Sequence, residues 1–193
     1  CGIKVFMGAS TGTLLVQDDE GVEQVLRHVN RRAAFHSEDE YRLAERRPLA
    51  RTGDWTSHEE VRDAASALES THRLVRIAKA LGKRIHVLHV TTREEIEFLA
   101  GHKDVASVEV TPQHLTLTAP EAYERLKAYA QMNPPVRNAY HQAGLWHGIA
   151  AGIADVLGSD HAPHTKEEKA RPYPASPSGM PGVQTLVPVM LTH

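Results

Sequence analysis

The segment RIHVLHVTTREEIEFLA, residues 84–100, passes from strand to helix within a few positions. Its first half is a short apolar run of strand character; its second half is an amphipathic stretch of helical character. Thr92 and Glu95 form a capping-box signature at the junction. In that motif the hydroxyl accepts from the third helical amide and the acid reaches back to the cap.

The same unit recurs in both directions. "GIKVFM" is followed by "EGVEQVLRHV", "RAAFH" by a predicted long helix from Ser57 to Leu81, and "VASVEVT" by "PEAYERL", while "IADVLGSD" supplies a fifth strand. Ser57 with Glu60 and Thr118 with Glu121 repeat the capping signature, and Gly82 is placed to end the long helix. Strict alternation of strand and helix predicts an α/β fold on a parallel sheet, either doubly wound or closed into a barrel. The proline-rich "RPYPASPSGMPG" reads as a long loop beside an active site.

Polar residues sit where barrel enzymes place their chemistry, at the carboxyl ends of parallel strands. Lys4 interrupts an apolar strand, and His36, His89 and Asp160 each stand just before a polar loop. His86 and His89 are an odd number of positions apart, so alternation sends them to opposite faces. His89 is nearer the loop and is chosen as the inward one; His86 is left to pack against helices or to hydrogen-bond locally. His28, His58, His72, His102, His141 and His147 are read as surface or helix-face residues. A lone lysine in a strand is ordinarily a rim residue whose ammonium escapes to water. Four such positions on separate strands make a pattern that a lone residue does not.

Composition excludes several classes. The chain has 193 residues, 41% hydrophobic, with a formal net charge of -2, which gives no electrostatic reason to expect nucleic acid. No apolar run is long enough to span a bilayer, and "CGIKVFMGAS" has neither the basic region nor the cleavage site of a signal peptide. The single cysteine, Cys1, fits a reducing cytoplasm. Opening directly on a strand leads to the expectation that the sequence begins inside a larger protein.

Taken in order, "GIKVFMGASTG", "FHSEDE", "HVLHVTT", "TPQHL", "MNPPVR", "GSDHAPH" and "SGMPGVQT" resemble the dihydroorotases of the amidohydrolase superfamily, along essentially the whole chain. The resemblance implies a distorted (β/α)8 TIM-type barrel of the metal-dependent hydrolase kind, with two zinc ions and this chain covering about strands four to eight. Residues 1–193 are then a partial catalytic barrel domain, without the first barrel strands and the small β domain, and the family's His-x-His with its following arginine is absent.

Carried over by position, the resemblance makes Lys4 the lysine that is carboxylated to bridge the two zinc ions, and His36 and His89 the imidazole ligands of the second metal. Asp160 becomes both a metal contact and the catalytic acid-base group. Asn133 and His164 match residues that bind the substrate carboxylate, and backbone around Pro181 and Gly182 matches groups that contact the ring. His114 stays undecided, and His161 is expected to point away. The implied activity is reversible hydrolysis of L-dihydroorotate to N-carbamoyl-L-aspartate in pyrimidine biosynthesis. Alternatives are another cyclic amidohydrolase (dihydropyrimidinase, hydantoinase or allantoinase) or a catalytically silent subunit. A homo-oligomer and association with aspartate transcarbamoylase are the macromolecular partners the resemblance brings with it.

Overall fold

The computed structural model describes residues 2–9 and 14–193; Cys1, and residues 10–12 of the first family-like segment, lie outside the described residues. Strands β1 (Lys4–Phe6), β2 (Ala33–His36), β3 (Ile85–Val87), β4 (Ala106–Val110) and β5 (Val156–Leu157) form one sheet in sequence order, and every pairing is parallel. A doubly wound sheet reverses its order at a switch point, whereas a barrel lays each new strand beside the last. The sequential order resolves the alternative left open by pattern alone in favour of barrel-type β/α units.

Helices α1 (Asp19–His28), α2 (Glu40–Arg46), α3 (Ser57–Val61), α4 (Ala64–Ala80), α5 (Arg93–Ala100), α6 (Pro112–Thr116), α7 (Glu121–Leu126), α8 (Ala139–Ala150), α9 (Lys166–Lys169) and α10 (Leu186–Leu191) fill the connections. Period-two alternation gives the sheet two unlike faces. Val5, Phe35, Val87, Val108 and Val110 join Leu26 of α1, Leu74 and Ile77 of α4, Ile96 and Leu99 of α5 and Leu145 of α8 in one buried cluster. Burying a side chain of this size contributes about 1.5–3 kcal/mol, so this face holds the helices to the sheet. The other face is polar. Register places Lys4, Ala34, His86 and Ser107 in one row, with Phe6 and His36 in the next row toward the carboxyl ends.

Several local expectations need correction. The helix expected from Ser57 to Leu81 is two helices, because the Asp63 carboxylate accepts from the Ser66 amide and starts α4 afresh. The Thr92–Glu95 capping box forms. The Ser57–Glu60 box does not: the Ser57 hydroxyl donates to the Asp54 carbonyl, and Glu60 pairs with Arg51. Thr118 does reach the Glu121 carboxylate at 3.3 Å, but Pro120 occupies the cap of α7. Gly82, at φ +62°, ends α4 as expected, in a conformation that glycine adopts without steric cost. The fifth strand is shorter than "IADVLGSD", since pairing stops at Leu157 and Asp160 lies on the loop beyond it. Of the histidines read as surface or helix-face residues, His58 and His141 lie on α3 and α8 with their side chains buried.

Candidate active site

Lys4, Phe6, His36, His89, Asn133, Asp160, Ala162, Ser178 and Gly179 line one pocket of ≈ 160 Å³. It opens at the carboxyl ends of the strands, where parallel sheets of this kind hold their ligands. Each polar member arrives differently. His36 is the last residue of β2 and is buried on the inner face. Lys4 is the first residue of β1 and sits one pleat below His36, since its register partner is Ala34. Two strand residues rise about 6.6 Å, a gap that a lysine stem spans. Its ammonium lies 4.8 Å from the centroid of the Phe6 ring.

His89 reaches the pocket against the parity argument. β3 ends at Val87, and His89 has left-handed backbone at φ +35°, which re-aims its ring onto the face that alternation within a continuous strand would deny it. His86 shares that inner face: its Nδ1 is 2.8 Å from the Ser107 hydroxyl and its Nε2 is 3.5 Å from Glu109. Packing against the helices is therefore excluded for His86, and local hydrogen bonding is what it does. Asp160 is also left-handed, at φ +39°. Such a conformation costs a non-glycine residue about 1–3 kcal/mol and clusters at functional sites.

The electrostatics follow from burial and charge. His36 Nδ1 and His89 Nε2 face each other at 3.1 Å, with ring planes at 74°. Burial, reinforced by His36 and the Lys4 ammonium, pushes the proton affinity of His89 well below the ordinary histidine value. Burial raises the Asp160 carboxyl above its ordinary value; Lys4 and His36 oppose the shift and Glu109 adds to it. Behind His36, its Nε2 lies 2.8 Å from the Glu38 carboxylate. Burial alone would raise Glu38, but Arg62 and His36 outweigh it and hold the group well below the usual carboxylate range.

The two facing imidazole nitrogens suit zinc. Nitrogens about 2.0–2.1 Å from a tetrahedral zinc lie about 3.4 Å apart, close to the 3.1 Å between the two facing imidazole nitrogens. His89 Nδ1 is buried with no hydrogen-bond partner among the described residues. Among the described residues no group of three or more His, Cys, Asp or Glu is assembled for a metal. The imidazole pair shares its pocket with Asp160 and Lys4.

The remaining candidates are spread around the rim. The Asn133 amide lines the pocket with its Oδ1 buried and unpartnered among the described residues. His164 does not line the pocket; its Nε2 is 3.0 Å from the carbonyl of Ser178, which does. Pro181 is exposed. The Gly182 amide donates to His161 Nδ1 at 3.0 Å, and a Cβ at Gly182 would meet the Ser159 carbonyl at 2.3 Å, so only glycine fits. His161 is exposed and turned to this rim, away from the pocket. His114 is a buried support: its Nδ1 is 2.7 Å from the Thr111 hydroxyl and its Nε2 is 3.0 Å from the carbonyl of Pro134, the residue after Asn133.

A dihydroorotase from Methanosarcina acetivorans is 35% identical over 97% of this chain and 43% of its own length, and one from Halobacterium salinarum is 34% identical over 97% and 44%. The chain is a dihydroorotase homologue. It spans less than half the length of these curated relatives. No family model matches it. Among solved structures, an L-hydantoinase (dihydropyrimidinase) from Arthrobacter aurescens superposes with TM-score 0.86 at 25% identity, covering 97% of this chain and 44% of that one. A D-hydantoinase (dihydropyrimidinase) from Thermus sp. gives 0.88 at 25%, covering 99% and 45%. Five consecutive parallel β/α units of a TIM-type barrel are thus what this dihydroorotase homologue shares with them.

The sequence pattern assigns no role to Glu38, within "FHSEDE", or to Arg62. The signal for Glu38 was its i, i+2 spacing from His36. Arg62 carried no signal, because it comes from a helix end 24 residues beyond Glu38.

Proposed function

We propose that this chain contributes to a zinc-dependent dihydroorotase site that opens the ring of L-dihydroorotate to N-carbamoyl-L-aspartate and closes it in reverse, the direction pyrimidine synthesis uses. The observation that carries the reading is the convergence of Lys4, His36, His89, Asp160 and Asn133 on one pocket at the strand ends, in a chain 35% identical to a dihydroorotase.

His36, His89, Asp160 and a carboxylated Lys4 are the residues that would hold zinc. Zinc in such a site supplies Lewis acidity toward a carbonyl oxygen and makes water acidic enough to attack near neutral pH. Asp160 takes the proton from the attacking water and returns it to the departing ring nitrogen. A carboxyl whose burial raises its proton affinity is suited to that exchange. Asn133 offers its amide N–H to the ring carboxylate, His164 acts with it from behind Ser178, and backbone near Pro181 and Gly182 forms the outer edge of the ring site. The reading carries with it a cytoplasmic enzyme and a homo-oligomer, with aspartate transcarbamoylase as a candidate partner.

A second reading, a hydantoinase or dihydropyrimidinase, is favoured by the L-hydantoinase superposition at 25% identity. Turnover of dihydroorotate, dihydrouracil, hydantoin and allantoin by the purified protein, with zinc content measured in parallel, separates the two. Preference for dihydroorotate, lost by about 10²–10⁴-fold in Asp160→Asn, supports the first. Preference for a ring without a carboxylate supports the second.

A further inference from the structure

Glu38 lies behind His36, on the side away from His89, and is fully buried. Its other partner is Arg62, whose Nε is 3.1 and 3.2 Å from the two carboxylate oxygens and whose Nη2 closes a further contact with Oε2. Arg62 is held in turn: Nη2 donates to the Ala9 carbonyl at 2.9 Å, and its own carbonyl accepts from Arg137. Neither Glu38 nor Arg62 lines the pocket that contains the two histidines.

This arrangement has a definite chemical consequence. A guanidinium does not give up its proton, and an ionised carboxylate can only accept. The hydrogen between His36 and Glu38 therefore belongs to His36 Nε2. A neutral imidazole has one N–H, so Nδ1 presents a lone pair toward His89, where a cation binds and a proton would have to be displaced. His89 Nε2–H can donate to that lone pair in the metal-free protein, which leaves His89 Nδ1 an acceptor without a partner among the described residues.

We propose that Glu38, clamped by Arg62 through both carboxylate oxygens, is a positioning residue that fixes His36 as the Nε2–H tautomer and aims its Nδ1 lone pair into the metal position. The role rests on the zinc-site reading above, but the tautomer itself does not. The break between α3 and α4 acquires a purpose from it, since Arg62 is the residue at which the backbone leaves the helix and turns toward Glu38.

The test is long-range nitrogen–proton NMR of the metal-free protein at about pH 8, above the ordinary imidazole range, followed by zinc titration. The variant is Glu38→Gln with Arg62→Met, which removes both charges together so that no unpaired guanidinium is left buried. In wild type His36 is expected to carry its proton on Nε2 alone. In the double variant both tautomers are expected, and zinc affinity falls about 10–100-fold. A wild-type His36 protonated on Nδ1 overturns the proposal and needs no variant to fold. Unchanged zinc affinity in a folded double variant overturns it as well. A wild type that shows the Nε2–H tautomer yet binds no zinc instead refutes the metal-site reading and leaves the assignment to Glu38 standing.

Discussion

His36 and His89 lie 53 residues apart in sequence and present ring nitrogens to each other at 3.1 Å inside one pocket. One ring is set by the end of β2 and a buried carboxylate, the other by a left-handed turn beyond β3. Two independent devices deliver two imidazoles to one point.

Acid should destabilise the fold through histidines outside that pair. His58 and His114 are fully buried, and burial pulls both down to about 4, with the Arg62 cation adding to the effect at His58. In the unfolded chain they titrate near 6.5. Between these values the unfolded state binds protons that the folded state refuses, so the stability present above pH 6.5 is lost as pH falls toward 4, by up to about 1.4 kcal/mol per pH unit for each histidine. Denaturant titrations across that window should show the slope, and His58→Gln should make it shallower. An unchanged slope in that variant means that His58 is protonated in the fold.

Lys169 is a buried clasp. Its ammonium donates to the carbonyls of Ala128, Gln131 and Pro177 at 2.9, 3.2 and 2.8 Å, tying the loop that carries Ser178 and Gly179 to the segment before Asn133. Lys169→Met leaves those carbonyls without this donor, at a cost of about 1–3 kcal/mol. The melting temperature should fall, and protease should cut first within 170–179. Wild-type melting and an uncut loop count against the clasp.

His164 can be tested by a ratio. A direct bond to the ring carboxylate predicts that His164→Ala weakens kcat/KM for dihydroorotate by about 1.5–3 kcal/mol and leaves dihydrouracil nearly unaffected. The 3.0 Å contact with the Ser178 carbonyl offers the competing outcome. Equal losses on both substrates make His164 a support of the pocket wall and leave the carboxylate to Asn133.

The parallel sheet, its strand order of chemistry and the loop from Arg171 onward were legible because alternation and capping are local signals. The Thr92–Glu95 box needs only four consecutive residues, and it forms. What failed did so for tertiary reasons. Arg51 and Asp54 claim the Ser57–Glu60 pair, and Asp63 restarts a helix that periodicity alone would continue. Face assignment by parity holds only while a strand lasts, so it misplaced His86, which lies within β3 on the inner face, while His89, beyond the end of β3, lines the pocket. That Lys4 sits one pleat below His36 was not legible, because it is a matter of register between strands.

Whether the facing imidazoles hold zinc, as proposed, is tested at the atom by anomalous diffraction from crystals soaked in zinc. A zinc peak bonded to both His36 Nδ1 and His89 Nε2 is expected, at about 2.0–2.1 Å from each, and is expected to vanish in His89→Gln. A zinc-soaked crystal with no peak between those nitrogens, or with zinc bound only elsewhere, contradicts the proposal.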